Sequence, residues 1–255
     1  ELKMILSGQW GYIGLPPTHA SALGMCQMMI NYLKDGAFFP AGGTQEFANA
    51  FFKKFIDFGG HVMLSSKAKK ILCNANAALG VTLQDGKEIL SKVVVSNIDT
   101  RQTFFELLAG KLDNSFLERI EEMRTSCSFS LLYLGIGKGA DLSNLKRGFY
   151  HVASESSYRD AEWLYVSIPT MICPELAPTG KQIISVVVYL EKEKYRDIMN
   201  WKSFKENMTA DTIGRIEKYV PDIKKYIEVI ETATPKTLER YTLNTDGAAY
   251  GWAVS

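Results

Sequence analysis

Between two helical segments the sequence runs Phe39-Pro40-Ala41-Gly42-Gly43-Thr44. A proline fixes the backbone, two glycines free it, and a threonine stands where it can cap the helix that follows. Two readings of the hexapeptide stand side by side. One is an ordinary turn at the start of a helix. The other is a backbone stripped of Cβ atoms so that it lies close to a flat ligand. Upstream, Ser7 to Leu15 is rich in glycine and aromatic residues and ends at Pro16-Pro17, which breaks any helix. His19 to Leu33 then has helical spacing. Leu23, Met25, Cys26, Met28, Met29, Ile30 and Leu33 cover more than one face, which predicts broad burial up to Asp35-Gly36. Its methionines serve either core packing or an adaptable apolar ligand surface.

Downstream, Thr44 is the expected cap, and Gln45-Glu46 suits the positive end of the helix dipole. Phe47, Phe51, Phe55 and Phe58 follow as one apolar stripe, which Gly59-Gly60 terminates. The period then shortens to that of strands: His61–Leu64, Ala68–Cys73, Ala78–Leu83 and Glu88–Leu90, with Asp85-Gly86 as a tight turn. Lys92-Val-Val-Val-Ser96 predicts a strand covered on both faces, and Asn97-Ile-Asp99-Thr100 leads into a helix. Beyond Thr100 the pattern predicts helices over 101–109, 114–123 and 201–219. Strands are predicted over 128–136, 148–153, 162–168, 182–190 and 226–232, the last ending before Pro235. The fold class is therefore α/β plus α+β, in two lobes.

Composition excludes several functions. The chain has 255 residues, 29 basic against 28 acidic, and a net charge of +1 with no block of one sign, so no nucleic-acid partner is expected. Cys26, Cys73, Cys127 and Cys173 are scattered, as are the three histidines, so no zinc site is read and a reducing, cytoplasmic location fits. No run of about 18 apolar residues is present to span a bilayer. Gly135-Ile-Gly137-Lys-Gly139-Ala140 matches a dinucleotide fingerprint in letters only, because the polar residues after it are too few for the helix that would hold a pyrophosphate.

An ordered series makes these features specific. Gly11-Tyr-Ile-Gly14-Leu-Pro-Pro17 comes first, then Tyr32-Leu-Lys-Asp-Gly36-Ala-Phe-Phe-Pro40-Ala-Gly42-Gly43, then Phe58-Gly-Gly-His-Val62. Gly80-Val81, Asp85-Gly86 and Val93-Val-Val-Ser96-Asn97-Ile-Asp99 complete it. The series resembles the phytoene desaturase, carotenoid isomerase and retinol saturase group of FAD-dependent oxidoreductases. It covers residues 8 to 108 well, and more weakly 128–136 and 234–251.

The resemblance implies part of an FAD/NAD(P)-binding domain interwoven with a mixed-sheet substrate domain. On it, residues 1–37 end one excursion into the substrate domain, 38–100 belong to the flavin domain, 101–233 form the substrate lobe, and 234–255 return. It implies that Pro40, Gly42 and Gly43 approach the flavin ring, that the strand at Ala68 meets the adenine end, and that Ser96 and Asn97 lie by the cofactor. The family has valine where Ala68 stands. The glycine-rich pyrophosphate unit and the glycine-aspartate flavin segment have no counterpart in this chain. The chain is thus expected to be an internal stretch of a longer enzyme, inactive alone and unable to retain FAD. The implied substrate is an apolar polyene or isoprenoid lipid, with peripheral membrane contact. No catalytic acid or base is assigned. Two further readings stay open: an apolar-ligand or interaction module without chemistry, and an amine-oxidising flavoenzyme.

Overall fold

Two sheets of unequal size organise the chain. The computed structural model describes residues 10–75, 77–145, 148–152 and 163–253. Helix α1 (Ala22–Asp35) starts where the Ser21 hydroxyl accepts a hydrogen bond from the Gly24 amide, and stops at Gly36. The broad burial expected of it is not found. Met25 alone is buried, while Leu23, Ile30 and Leu33 are exposed. The helix touches its neighbours along one narrow face, through Met25 and the part-buried Met28.

Helix α2 (Thr44–Asp57) is capped by Gly43, so Thr44 is its first residue rather than its cap. Its phenylalanines form the expected stripe, yet no residue of the helix is buried. The small sheet follows as an antiparallel meander of β1 (Ala68–Cys73), β2 (Ala78–Leu83) and β3 (Glu88–Leu90), in the expected places. Two expected strands are absent. Residues 61–64 are irregular and then turn, and residues 93–97 run without a partner, with Val93 and Val95 70% and 87% exposed. An apolar run becomes a strand only when a neighbour takes up its backbone hydrogen bonds, and among the described residues none does. A π-helical turn at Gln102–Leu107 and helix α3 (Asn114–Glu122) lead to the large sheet.

That sheet contains β4 (Ser128–Ile136), β5 (Gly148–Val152), β6 (Trp163–Ser167), β7 (Gln182–Leu190) and β8 (Ile227–Ala233). The strand order is β5-β6-β7-β4-β8, and every pairing is antiparallel. The predicted ends of the second and third strands, Ala153 and Glu162, lie outside the described residues. Alternation gives the sheet two faces. Leu132, Leu134, Ile136, Leu164, Val166, Ile184 and Val186 pack against helix α4 (Trp201–Glu217), which contributes Ile213 and Ile216, and against Val220 and Ile223 beyond it. Burying each such side chain contributes about 1.5–3 kcal/mol. The opposite face carries Phe129, Trp163, Tyr165, Val187 and Tyr189 and meets Met25, Met28 and Ile13.

Residues 137–145 contain no helix; Gly139 turns the chain, and Leu142 and Leu145 close over the core. Helix α5 (Pro235–Thr242) was not expected. Pro235 opens it rather than ending the strand before it, and Thr234 with Thr237 forms a reciprocal cap.

Candidate flavin-facing turn and aromatic sheet face

The glycine pair takes the left-handed backbone region, with φ of 78° at Gly42 and 94° at Gly43. The Gly43 amide donates to Pro40 O at 3.0 Å. The turn leans on the loop after β6, where the Cys173 thiol points at Pro40 O from 3.7 Å. The two glycines are not equivalent. A Cβ on Gly43, which is buried, would stand 2.9 Å from Leu176 Cδ2, a side chain of that loop. A Cβ on Gly42 would meet only the flexible Glu46 side chain, at 2.8 Å. The neighbour at Gly42 is thus a mobile surface side chain, whereas the one at Gly43 is part of the packing against the 169–177 loop.

The other residues singled out in the sequence lie elsewhere. Ala68 opens β1, with its Cα opposite that of Leu83. Ser96 is exposed, and its hydroxyl pairs with that of Thr103 at 2.7 Å; Asn97 is exposed. Ser96 joins Ile71, Cys73, Val94 and Phe104 around a cleft of about 750 Å³ between the small sheet and the π-helical turn. Neither Ala68, Asn97 nor the 40–43 turn lines that cleft.

In the sequence Asp99 reads as the end of the ordered series and the lead into a helix, with no role of its own. Its carboxylate accepts from the amides of Arg101 and Gln102 at 2.9 and 3.2 Å. It also accepts from the Thr245 amide at 2.8 Å and hydroxyl at 2.9 Å. It thus ties the 96–99 segment to the turn after α5, across 146 positions of sequence.

The aromatic face of the large sheet is the second feature not singled out. Phe129 meets Tyr189 edge-on at 5.1 Å and Tyr250 at 5.6 Å. Gly11 lies flush on the Tyr189 ring, leaving no room for a Cβ. Tyr12 and Tyr32 pair at 5.9 Å on the same side. Burial pushes the Tyr250 hydroxyl up to about 12 and raises that of Tyr165. Both stay protonated at neutral pH, so the face carries ring edges and neutral hydroxyls, and it packs against Ile13, Met25 and Met28. The legible signal was the period-two placing of Phe129 and Tyr133 on β4 and of Trp163 and Tyr165 on β6. Among the described residues no group of His, Cys, Asp and Glu could hold a metal ion.

No protein-family model matches the chain. Among curated proteins it is 27% identical to a chloroplastic prolycopene isomerase of Arabidopsis thaliana, over 85% of this chain and 37% of that protein. It is 26% identical to a neurosporene-forming phytoene desaturase of Rhodobacter capsulatus, over 98% of this chain and 50% of that one. It is 24% identical to an all-trans-retinol 13,14-reductase of Danio rerio, over 98% and 47%. The chain resembles the carotenoid and retinoid group. It spans half or less of the length of these relatives. Among solved structures, an oxidoreductase of Methanosarcina mazei superposes with a TM-score of 0.67 at 15% identity, over 89% of this chain and 50% of that one. That likeness is one of fold, and it agrees with the combination of helices and sheets read from the sequence.

Proposed function

We propose that the chain is part of an FAD-dependent oxidoreductase or isomerase acting on a polyene or isoprenoid lipid. Residues 38–100 contribute to its flavin domain and 101–233 form its substrate lobe. Residues 1–37 close an earlier excursion into that lobe, and 234–255 lead back. The observation that carries this reading is that relatives aligned over 85–98% of the chain are named for carotenoid or retinoid chemistry. The aromatic sheet face supports it.

FAD, when bound, supplies hydride or electron transfer. The chain's own residues orient and exclude. The Gly42 backbone offers a flat approach, while the Ser96 hydroxyl and Asn97 supply polar contacts at the end of an apolar run. The exposed edge of Tyr250, backed by Phe129, offers an extended apolar chain a surface without charge. The exposed apolar surfaces of α2 and of Val93 and Val95 fit a domain completed by further chain. The location proposed is a reducing compartment with peripheral membrane contact. No helix among the described residues is long and apolar enough to cross a membrane.

The test uses a longer protein that contains this chain, purified and supplied with FAD. A yellow protein that desaturates, saturates or isomerises a C40 or C20 polyene is the expected result. A protein that takes up no flavin, or whose flavin is reduced by amines and not by polyenes, sinks the proposal.

A further inference from the structure

Helices α4 and α5 bring four cations to one groove. Lys202 and Lys205 stand three apart at the start of α4, and Lys236 and Arg240 four apart on α5, so each pair shares a face of its helix. Together they line an open groove of about 640 Å³ beside β8, which ends the sheet. The groove's one carboxylate is Glu231. Lys236 is paired with Glu239 at 2.7 Å, and Arg240 lies over the Tyr241 ring at 5.5 Å. Lys202 and Lys205 have no ion pair among the described residues. The chain as a whole carries a net charge of only +1, so this concentration of positive charge is local.

Aromatic side chains accompany the charge. Tyr133, Trp201 and Tyr241 share the groove's lining, and Tyr241 is 76% exposed. Met199, two residues before α4, is 96% exposed. A soluble phosphate would call for donors converging on one buried point, and it gains nothing from an exposed methionine and tyrosine. A bilayer surface uses both kinds of side chain. Lysine and arginine meet anionic headgroups, tyrosine and tryptophan settle at headgroup depth, and methionine enters the acyl boundary. We propose that this groove and its rim dock on an anionic lipid bilayer. The docking deepens the polyene reading, and rests on it only for its purpose, since an apolar substrate is held in a bilayer.

The test is co-sedimentation of this chain with vesicles of phosphatidylcholine, alone or mixed with phosphatidylglycerol. The chain is expected to bind the anionic vesicles and to leave them in high salt. Lys202→Glu with Lys205→Glu is expected to lower partitioning at least about tenfold. Lys69→Glu with Lys87→Glu, an equal change of charge on exposed residues of β1 and of the β2–β3 turn, is expected to leave it within about twofold. Both double variants should melt as the parent chain does, because all four side chains are exposed. Equal binding to neutral vesicles, which the phenylalanines of α2 alone would give, overturns the proposal, as does equal loss in the two variants. Displacement by millimolar inorganic phosphate that also raises the melting temperature would replace the bilayer with a soluble anion. None of these outcomes involves flavin, so the polyene reading fails or survives on its own experiment.

Discussion

At Gly42 and Gly43 an added side chain would meet different neighbours, Glu46 and Leu176. The resemblance implies that Gly43→Val lowers flavin occupancy far more than stability. The Leu176 side chain 2.9 Å from the missing Cβ, and a φ of 94°, give that substitution a structural cost of its own. Gly42→Ala is the cleaner probe. Its strain of about 1–2 kcal/mol predicts a fall of only several degrees in the melting temperature of the flavin-free longer protein. Its flavin content should fall at least about tenfold, a further 1.4 kcal/mol. Normal flavin content in Gly42→Ala would mean the pair serves the turn alone. Cys127 gives a second prediction at this scale. Burial, with the nearby Glu191 charge adding to it, pushes its thiol from 9.0 to about 12. The folded chain keeps a proton that the unfolded chain releases, so the stability is fully present below 9.0 and is lost as pH rises towards about 12. Urea denaturation between about pH 8 and about pH 10.5 should show a loss approaching 1.4 kcal/mol per pH unit, which Cys127→Ala removes.

Elements were legible where a local pattern was enough. β4 and β7 fall where their alternation puts them, because period-two burial leaves a direct trace in the sequence, and β1 and β2 fall where the turn residues around them put them. Helix α5 was not legible, since a proline before a helix and a proline after a strand look alike without a view of the cap. Burial was the least legible property. The spacing of Phe47, Phe51 and Phe55 identifies a face but not what covers it, and in this chain they are 62%, 66% and 51% exposed. The same holds for the site. The glycine turn could be read locally, whereas the grip of Asp99 on Thr245 and the meeting of Phe129 with Tyr250 join distant segments and leave no local trace. A prediction follows for α2. Phe51→Gln with Phe55→Gln should change this chain's unfolding free energy by under about 1 kcal/mol and raise its solubility, measured by urea titration and by light scattering. In a longer protein that covers the stripe, the same pair should cost several kcal/mol, about 3 or more for each phenylalanine deeply buried.

Across the whole molecule, stability is concentrated in the large sheet. Leu132, Leu134, Ile184 and Val186 are fully buried there, while α2 buries nothing and the small sheet buries little beyond Ile71 and Leu83. Native-state hydrogen exchange should reflect this. Amides of β4 and β7 are expected to exchange slowest, near the global unfolding limit, and those of α2 and β3 at least about a hundredfold faster. Uniform protection across both sheets would contradict the division. Ile216→Ala, beneath the large sheet, should then remove about 2–5 kcal/mol and speed exchange in β4 without altering α2.

The order β5-β6-β7-β4-β8 has one more consequence, in time rather than in space. Strand β4, next to the edge and complete at Ile136, waits for Ile227 before its second side is paired. At ribosomal rates the roughly ninety residues between them take on the order of ten seconds to synthesise. Throughout that interval the nascent chain carries an apolar strand with an open edge, which makes β4 the segment a holding chaperone would be expected to shelter.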